Sequence, residues 1–152
     1  MARELAEATL GMIGGQYLDV TTDGEFDPEG LRRLHALKTG RLLRASVTTA
    51  TAVAGLAESE RAPWRVFGEE VGVLFQIVDD ILDATGTAEE LGKTPGKDEA
   101  AGKVTYVSLH GLEHARELAD EARARVLQQL ASLSGDTTVL AAIVDTIRDR
   151  RA

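Results

Sequence analysis

The chain contains no cysteine. Disulfides and thiolate metal sites are closed to it, and nothing favours an oxidising compartment. Aromatic residues make up only 4% of the sequence, with three prolines and three histidines. Runs of alternating β-branched residues bounded by turns, the signature of strands, are missing. Long apolar runs are missing too. The least polar stretch, LLRASVTTATAVAGLA, is interrupted by Arg44, Ser46 and several threonines. It falls short of the roughly 20 apolar residues that a membrane span needs. The opening residues, MARELAEATLGMIGG, carry one Arg and two Glu and no apolar core. They do not read as a signal peptide. Lys and Arg number 17 against 25 Asp and Glu, for a formal charge of −8. A nucleic-acid partner is disfavoured, because phosphate binding needs a basic face. A cytoplasmic location is the expectation.

What is present suits helices packed closely on one another. Ala, Leu and Val are plentiful, and the 43% apolar share of 152 residues is enough for one core. The expected fold class is all-α. Residues 2–19 read as a helix carrying Gly14 and Gly15 in its interior. Each interior glycine costs about 1 kcal/mol against alanine, so a pair suggests close approach by another element, or a groove. TTDGEFDPEG is a loop, and Asp27-Pro28 combines an N-cap with a proline in the first turn. Helix continues through LRRLHALK and over about 39–54, with Gly55 as C-cap. Pro63 is read as opening the next helix, which runs to Asp83. A segment rich in Gly and Lys follows, where Thr87 and Glu90 fit a capping box. Helix resumes near Val104 with a break at Gly111, then covers about 113–133 and about 138–150.

The stretch FQIVDDILD concentrates charge at the end of an apolar helix. At 3.6 residues per turn, Gln76, Asp79, Asp80 and Asp83 share an arc of roughly 100°. Gly68 and Gly72 extend that side, and apolar residues fill the other. The reading is one face that packs and one that opens. Three carboxylates at i, i+1 and i+4 repel one another and oppose the helix dipole, so the arrangement calls for a cation. Oxygen-only ligands suit Mg²⁺ or Ca²⁺, and Mg²⁺ commonly combines one or two carboxylates with waters and substrate phosphate. The calcium-loop pattern D-x-[DN]-x-[DN]-G is absent. A solvated face that merely ends the helix is the plain alternative.

A phosphate held by such a cation needs basic partners. Lys93, Lys97 and Lys103 lie just beyond the carboxylates, and Lys38-Thr39-Gly40 offers another cation beside a hydroxyl. Taken singly, each lysine reads as a solvated surface charge. GTAEELGKT imitates a phosphate-binding loop, but five residues separate Gly86 from Gly92 where four are required, and a helix precedes it. His110 and His114 stand at i, i+4, but Gly111 interrupts the helix and no HExxH pattern accompanies them. Surface histidines are the reading there.

GMIGGQYLD, HALKTGRLLRASV, FQIVDDILD, LGKTPGKD and GKVTY occur in this order. Together they resemble the C-terminal half of the polyprenyl synthetase family of trans-isoprenyl diphosphate synthases, most nearly the bacterial farnesyl and geranylgeranyl diphosphate synthases. The resemblance covers essentially all of residues 1–152 and implies an all-helical bundle around a central cavity. It implies a Mg²⁺-dependent prenyltransferase of isoprenoid biosynthesis, condensing an allylic diphosphate with isopentenyl diphosphate. Asp79, Asp80 and Asp83 would be the second aspartate-rich motif and the metal ligands. Lys38, Thr39, Gln76 and Lys93 would be the catalytic residues that contact the allylic diphosphate or stabilise its carbocation. Lys103 would face the diphosphate, Phe75 the isopentenyl group, and Gln16 the cavity. Thr51 and Ala52 could line the cavity or be plain close packing.

The family's first aspartate-rich motif does not occur in these residues, and Met1 opens directly onto helical pattern. Val107 stands where the family usually has proline. The resemblance therefore implies a homodimer, or association with the half that carries the missing motif. A non-catalytic or modulatory helical subunit, or an inactive remnant, is the alternative reading. A metal-buffering helical protein is the rival from a different class.

Overall fold

The structure, a computed structural model, describes residues 1–22, 26–86 and 103–150. Within them run α1 (Ala2–Thr21), α2 (Pro28–His35), a π-helical turn (Ala36–Gly40), α3 (Arg41–Val53) and α4 (Glu58–Thr85). They are followed by α5 (Tyr106–His110), α6 (Leu112–Ala131) and α7 (Thr138–Arg148). The described residues contain no strand, and no helix among them is long and apolar enough to cross a membrane. The all-α expectation holds.

α4 is the hub. Leu74, Ile77 and Val78 on one side are buried, and so are Gly68, Gly72, Gln76 and Asp80 on the other. This corrects the reading of one packed and one open face. The glycines are contact points, not an opening. A Cβ on Gly72 would stand 2.8 Å from the Gly40 Cα, and one on Gly68 2.8 Å from the Arg44 Cα. The glycines let α3 and the π turn lie directly on the α4 backbone. From the opposite side α6 presents Ala115, Ala119, Ala122 and Val126, all fully buried. Their spacing puts them on one face, and their small side chains allow close packing.

α2, the π turn and α3 form one continuous helical rod, since Ala36, Gly40 and Arg41 all keep right-handed helical backbone angles. Asp27 caps its start, Oδ1 accepting from the Gly30 N–H at 2.7 Å, with Pro28 in the first turn. Gly55, at φ +80°, ends the rod as expected. α4 begins at Glu58, ahead of Pro63. Glu60 reaches back to accept the Ala57 N–H at 2.7 Å, so the helix starts on that contact and carries the proline within its early turns. Gly111, also at φ +80°, separates α5 from α6.

Candidate functional site

The polar residues of interest gather where α1, the π turn, the C-terminal half of α4 and the start of α5 meet. α1 crosses the π turn at Gly15. A Cβ there would lie 2.6 Å from the Lys38 backbone nitrogen, so only glycine fits. The π turn itself re-aims Lys38 and Thr39 within an otherwise regular rod, a use of extra-residue turns that recurs at functional sites.

Two networks result. In the first, Asp19 of α1 accepts from Lys38 Nζ at 2.9 Å and from Lys103 Nζ at 3.1 Å, both on Oδ2. Burial alone would raise the Asp19 carboxyl. The hydrogen bonds and charges of the two lysines outweigh it and hold the group below the usual carboxylate range. One carboxylate thus collects two ammonium groups 65 positions apart in sequence, at residues 38 and 103. In the second network, Thr39 Oγ1 donates to Gln76 Oε1 at 3.2 Å and Gln76 Nε2 donates to Asp80 Oδ1 at 3.0 Å. The Tyr106 N–H, at the start of α5, donates to Asp80 Oδ2 at 2.8 Å. Asp80 therefore bridges α4 to α5 at a helix start, where a negative charge is favoured.

His35 lies beneath this cluster. Its ring is buried and packs 5.5 Å from the Tyr106 ring, and Nδ1 has no hydrogen-bond partner. Burial, seconded by the Lys38 charge, lowers its pKa to about 3. The imidazole is neutral at physiological pH.

The aspartate arc is split. Asp79 and Asp80 are consecutive, so they point about 100° apart on the helix. The Asp80 edge, with Gln76, turns into the protein. The Asp79 edge, with Phe75, reaches the surface, and there Asp79 Oδ1 receives Arg150 Nη2 at 2.8 Å. Asp83 is buried between the two edges. Among the described residues no three His, Cys, Asp or Glu groups stand together as a ready-made metal cage. The arrangement is instead one accessible carboxylate, Asp79, with a guanidinium already standing at it, and two lysines gathered on Asp19.

The family model described as polyprenyl synthetase matches residues 1–147. The chain belongs to the polyprenyl synthetase family. Among curated relatives it is 43% identical to farnesyl diphosphate synthase of Escherichia coli (strain K12), over 99% of this chain and 52% of that protein. It is also 43% identical to geranylgeranyl pyrophosphate synthase 11, chloroplastic, of Arabidopsis thaliana, over 88% of this chain and 39% of that one. The chain spans about half the length of the curated relatives it matches. Of solved structures, heptaprenyl diphosphate synthase from Staphylococcus aureus matches with a TM-score of 0.92 at 16% identity, covering 99% of this chain and 60% of that one. That likeness is one of fold. A geranyltransferase from Helicobacter pylori, solved with magnesium and isoprenyl diphosphate, matches at 29% identity and TM-score 0.73. It covers 97% of this chain and 52% of that one.

Within this family member, Lys38, Thr39, Gln76, Lys103 and Asp80 come together, with Asp79 and Phe75 on the adjoining exposed edge of α4. Lys93, Lys97 and the Thr87–Glu90 pair lie outside the described residues. Gln16 is exposed on α1, next to the crossing glycine. Thr51 is buried and lines an apolar cavity of about 490 Å³ between α3, α4 and α7, together with Val47, Ala50, Trp64, Phe67 and Leu140. Phe67 precedes Asp79 by about 18 Å along the helix, so this cavity is separate from the polar cluster. Sequence reasoning passed over Asp19, His35 and Arg150. Asp19 closes the quoted stretch GMIGGQYLD, one turn beyond Gly15, and that spacing was available as a signal. His35 and Arg150 gave none: one is distinguished by its burial, the other by a contact to a helix far away in sequence.

Proposed function

We propose that this chain is the C-terminal part of a prenyltransferase site, binding an allylic diphosphate with magnesium for condensation with isopentenyl diphosphate. The observation that carries the reading is the convergence of Lys38 and Lys103 on Asp19, beside the Thr39–Gln76–Asp80 chain and the accessible Asp79. Two lysines gathered on one carboxylate are two cations poised to exchange that anion for phosphate oxygens.

Asp79 fits a magnesium ion. Its carboxylate is reachable and already faces a cation, and magnesium is commonly held by one or two carboxylates with waters and phosphate completing the shell. Asp79 would be the principal ligand of the second aspartate-rich motif, with Asp83 next to it around the helix. Asp80 supports the site by fixing Gln76 and the start of α5, and is proposed as a ligand only if those bonds open. When bound, magnesium neutralises charge on the leaving diphosphate. Lys38, Lys103 and Lys93 donate to the diphosphate oxygens and stabilise the negative charge that grows there as the carbon–oxygen bond breaks. Thr39 and Gln76 turn oxygen dipoles toward the allylic cation. Phe75 flanks the isopentenyl group, and Gln16 lines the entrance. Exclusion of water protects the cation from hydrolysis.

Association completes the site in this reading. On α1, Leu10, Ile13, Tyr17 and Val20 share one face and are each more than half exposed. A second copy, or the half that carries the first aspartate-rich motif, is the proposed cover. The same face is what favours the second reading, a modulatory helical subunit that binds a synthase without catalysing.

The test is direct binding of an allylic diphosphate at fixed magnesium. Lys38→Ala removes a charge-assisted contact, so affinity should fall by roughly tenfold to a hundredfold. Unchanged affinity in a folded Lys38→Ala variant would remove Lys38 from the site.

A further inference from the structure

α7 ends at Arg148, and α6 holds it there: Arg148 Nε is 2.6 Å from Asp120 Oδ1, and Arg123 Nη2 is 2.7 Å from Asp145 Oδ1. Two residues later Arg150 has returned to α4. Its Nη2 lies 2.8 Å from Asp79 Oδ1, and its guanidinium carbon is 4.9 Å from the centroid of the Phe75 ring. Phe75 and Asp79 are one helical turn apart on the same edge of α4. A single guanidinium therefore covers both the accessible carboxylate and the ring beside it. The Asp79 and Arg150 side chains are 42% and 34% exposed, so water and ions reach the pair. Asp80, by contrast, is 3% exposed and bonded through both oxygens.

We propose that Arg150 is a displaceable placeholder for the metal: it neutralises Asp79 in the empty protein and is expelled when a divalent cation takes that carboxylate. The inference rests on the reading of Asp79 as a metal ligand. A guanidinium at hydrogen-bond distance and a divalent cation repel each other too strongly to share one carboxylate oxygen. A half-exposed ion pair is weak enough to be exchanged. The cation–π contact to Phe75 adds a modest hold on the guanidinium, and leaves with it. Metal entry would thus uncover the Phe75 ring and release Arg150 from α4, while the Arg148–Asp120 pair keeps α7 in place. Arg150 thus answers the charge of Asp79, while Asp19 answers part of the charge of Lys38 and Lys103.

The experiment titrates the whole chain with manganese alone, reading free metal by electron paramagnetic resonance. Wild type, Asp79→Ala, Arg150→Gln and Arg150→Ala are compared. Asp79→Ala should abolish binding. Both Arg150 variants should bind manganese more tightly than wild type, on the order of threefold to fivefold, since they remove a competitor worth about one exposed ion pair. In a parallel titration with diamagnetic magnesium, the Arg150 side-chain nitrogen resonances of wild type should move to the position of free arginine. Asp79-dependent binding that the Arg150 substitutions leave unchanged or weaken overturns the placeholder and leaves the ligand reading standing. Absence of binding in wild type and in both Arg150 variants overturns the two together. Tightening in Arg150→Ala alone, with Arg150→Gln like wild type, also overturns the proposal, because charge would then not be what competes.

Discussion

At the scale of single residues, the site is built from groups whose surroundings set their charge. His35 is the clearest case. Its folded pKa is about 3, against about 6.5 for an unburied imidazole. The unfolded chain therefore binds a proton below pH 6.5 that the folded chain refuses, and stability falls as the pH is lowered through that window. Between pH 6.5 and pH 5 the loss should be about 1.5 kcal/mol. Denaturant unfolding of wild type and His35→Phe across that range checks it. The variant, having no group to titrate there, should show a flatter dependence; parallel curves would mean that His35 takes up its proton over the same pH range folded as unfolded. Asp19 acts at lower pH. Its folded pKa is depressed by Lys38 and Lys103, so its contribution is present above the unfolded carboxylate pKa and is lost only on further acidification.

At the scale of elements, adjacent glycines in α1 divide the work. A Cβ on Gly14 would meet nothing within 4 Å, whereas one on Gly15 would collide with the backbone of the π turn. Gly14→Ala should stabilise the protein by up to about 1 kcal/mol through helix propensity. Gly15→Ala should destabilise it by roughly 1–3 kcal/mol, since backbone cannot yield as a flexible side chain can. Chemical denaturation of the pair decides it: equal effects would contradict the crossing point. The sequence signalled a close approach at GG without saying which glycine makes it. The same limit applied to α4. Helical periodicity placed Gln76 and the three aspartates on one arc, but partners of that arc lie in the π turn, α5 and residue 150. Only their packing decides that Asp80 and Gln76 face inward while Asp79 faces out. The start of α4 was misplaced because a first-turn proline is the stronger local signal, whereas the contact of Glu60 with the Ala57 N–H carries no distinctive residue at the cap.

At the scale of the molecule, the helical class was legible because strand patterns were missing and Ala, Leu and Val were plentiful. The family was legible because five short motifs stood in order. What periodicity could not supply was the long-range pairing, Asp19 with Lys103 and Asp79 with Arg150, since these contacts depend on how separate helices cross. That pairing makes the central claim a property of the whole chain, with α1, the π turn, α4 and the approach to α5 each contributing one part. The most direct measurement is calorimetric titration of magnesium with and without an allylic diphosphate, in wild type and Asp79→Ala. The account predicts that each ligand strengthens binding of the other by the same factor, as linkage requires, and that Asp79→Ala abolishes this coupling. Independent binding of the two ligands in folded wild type, or coupling that survives in Asp79→Ala, would contradict it.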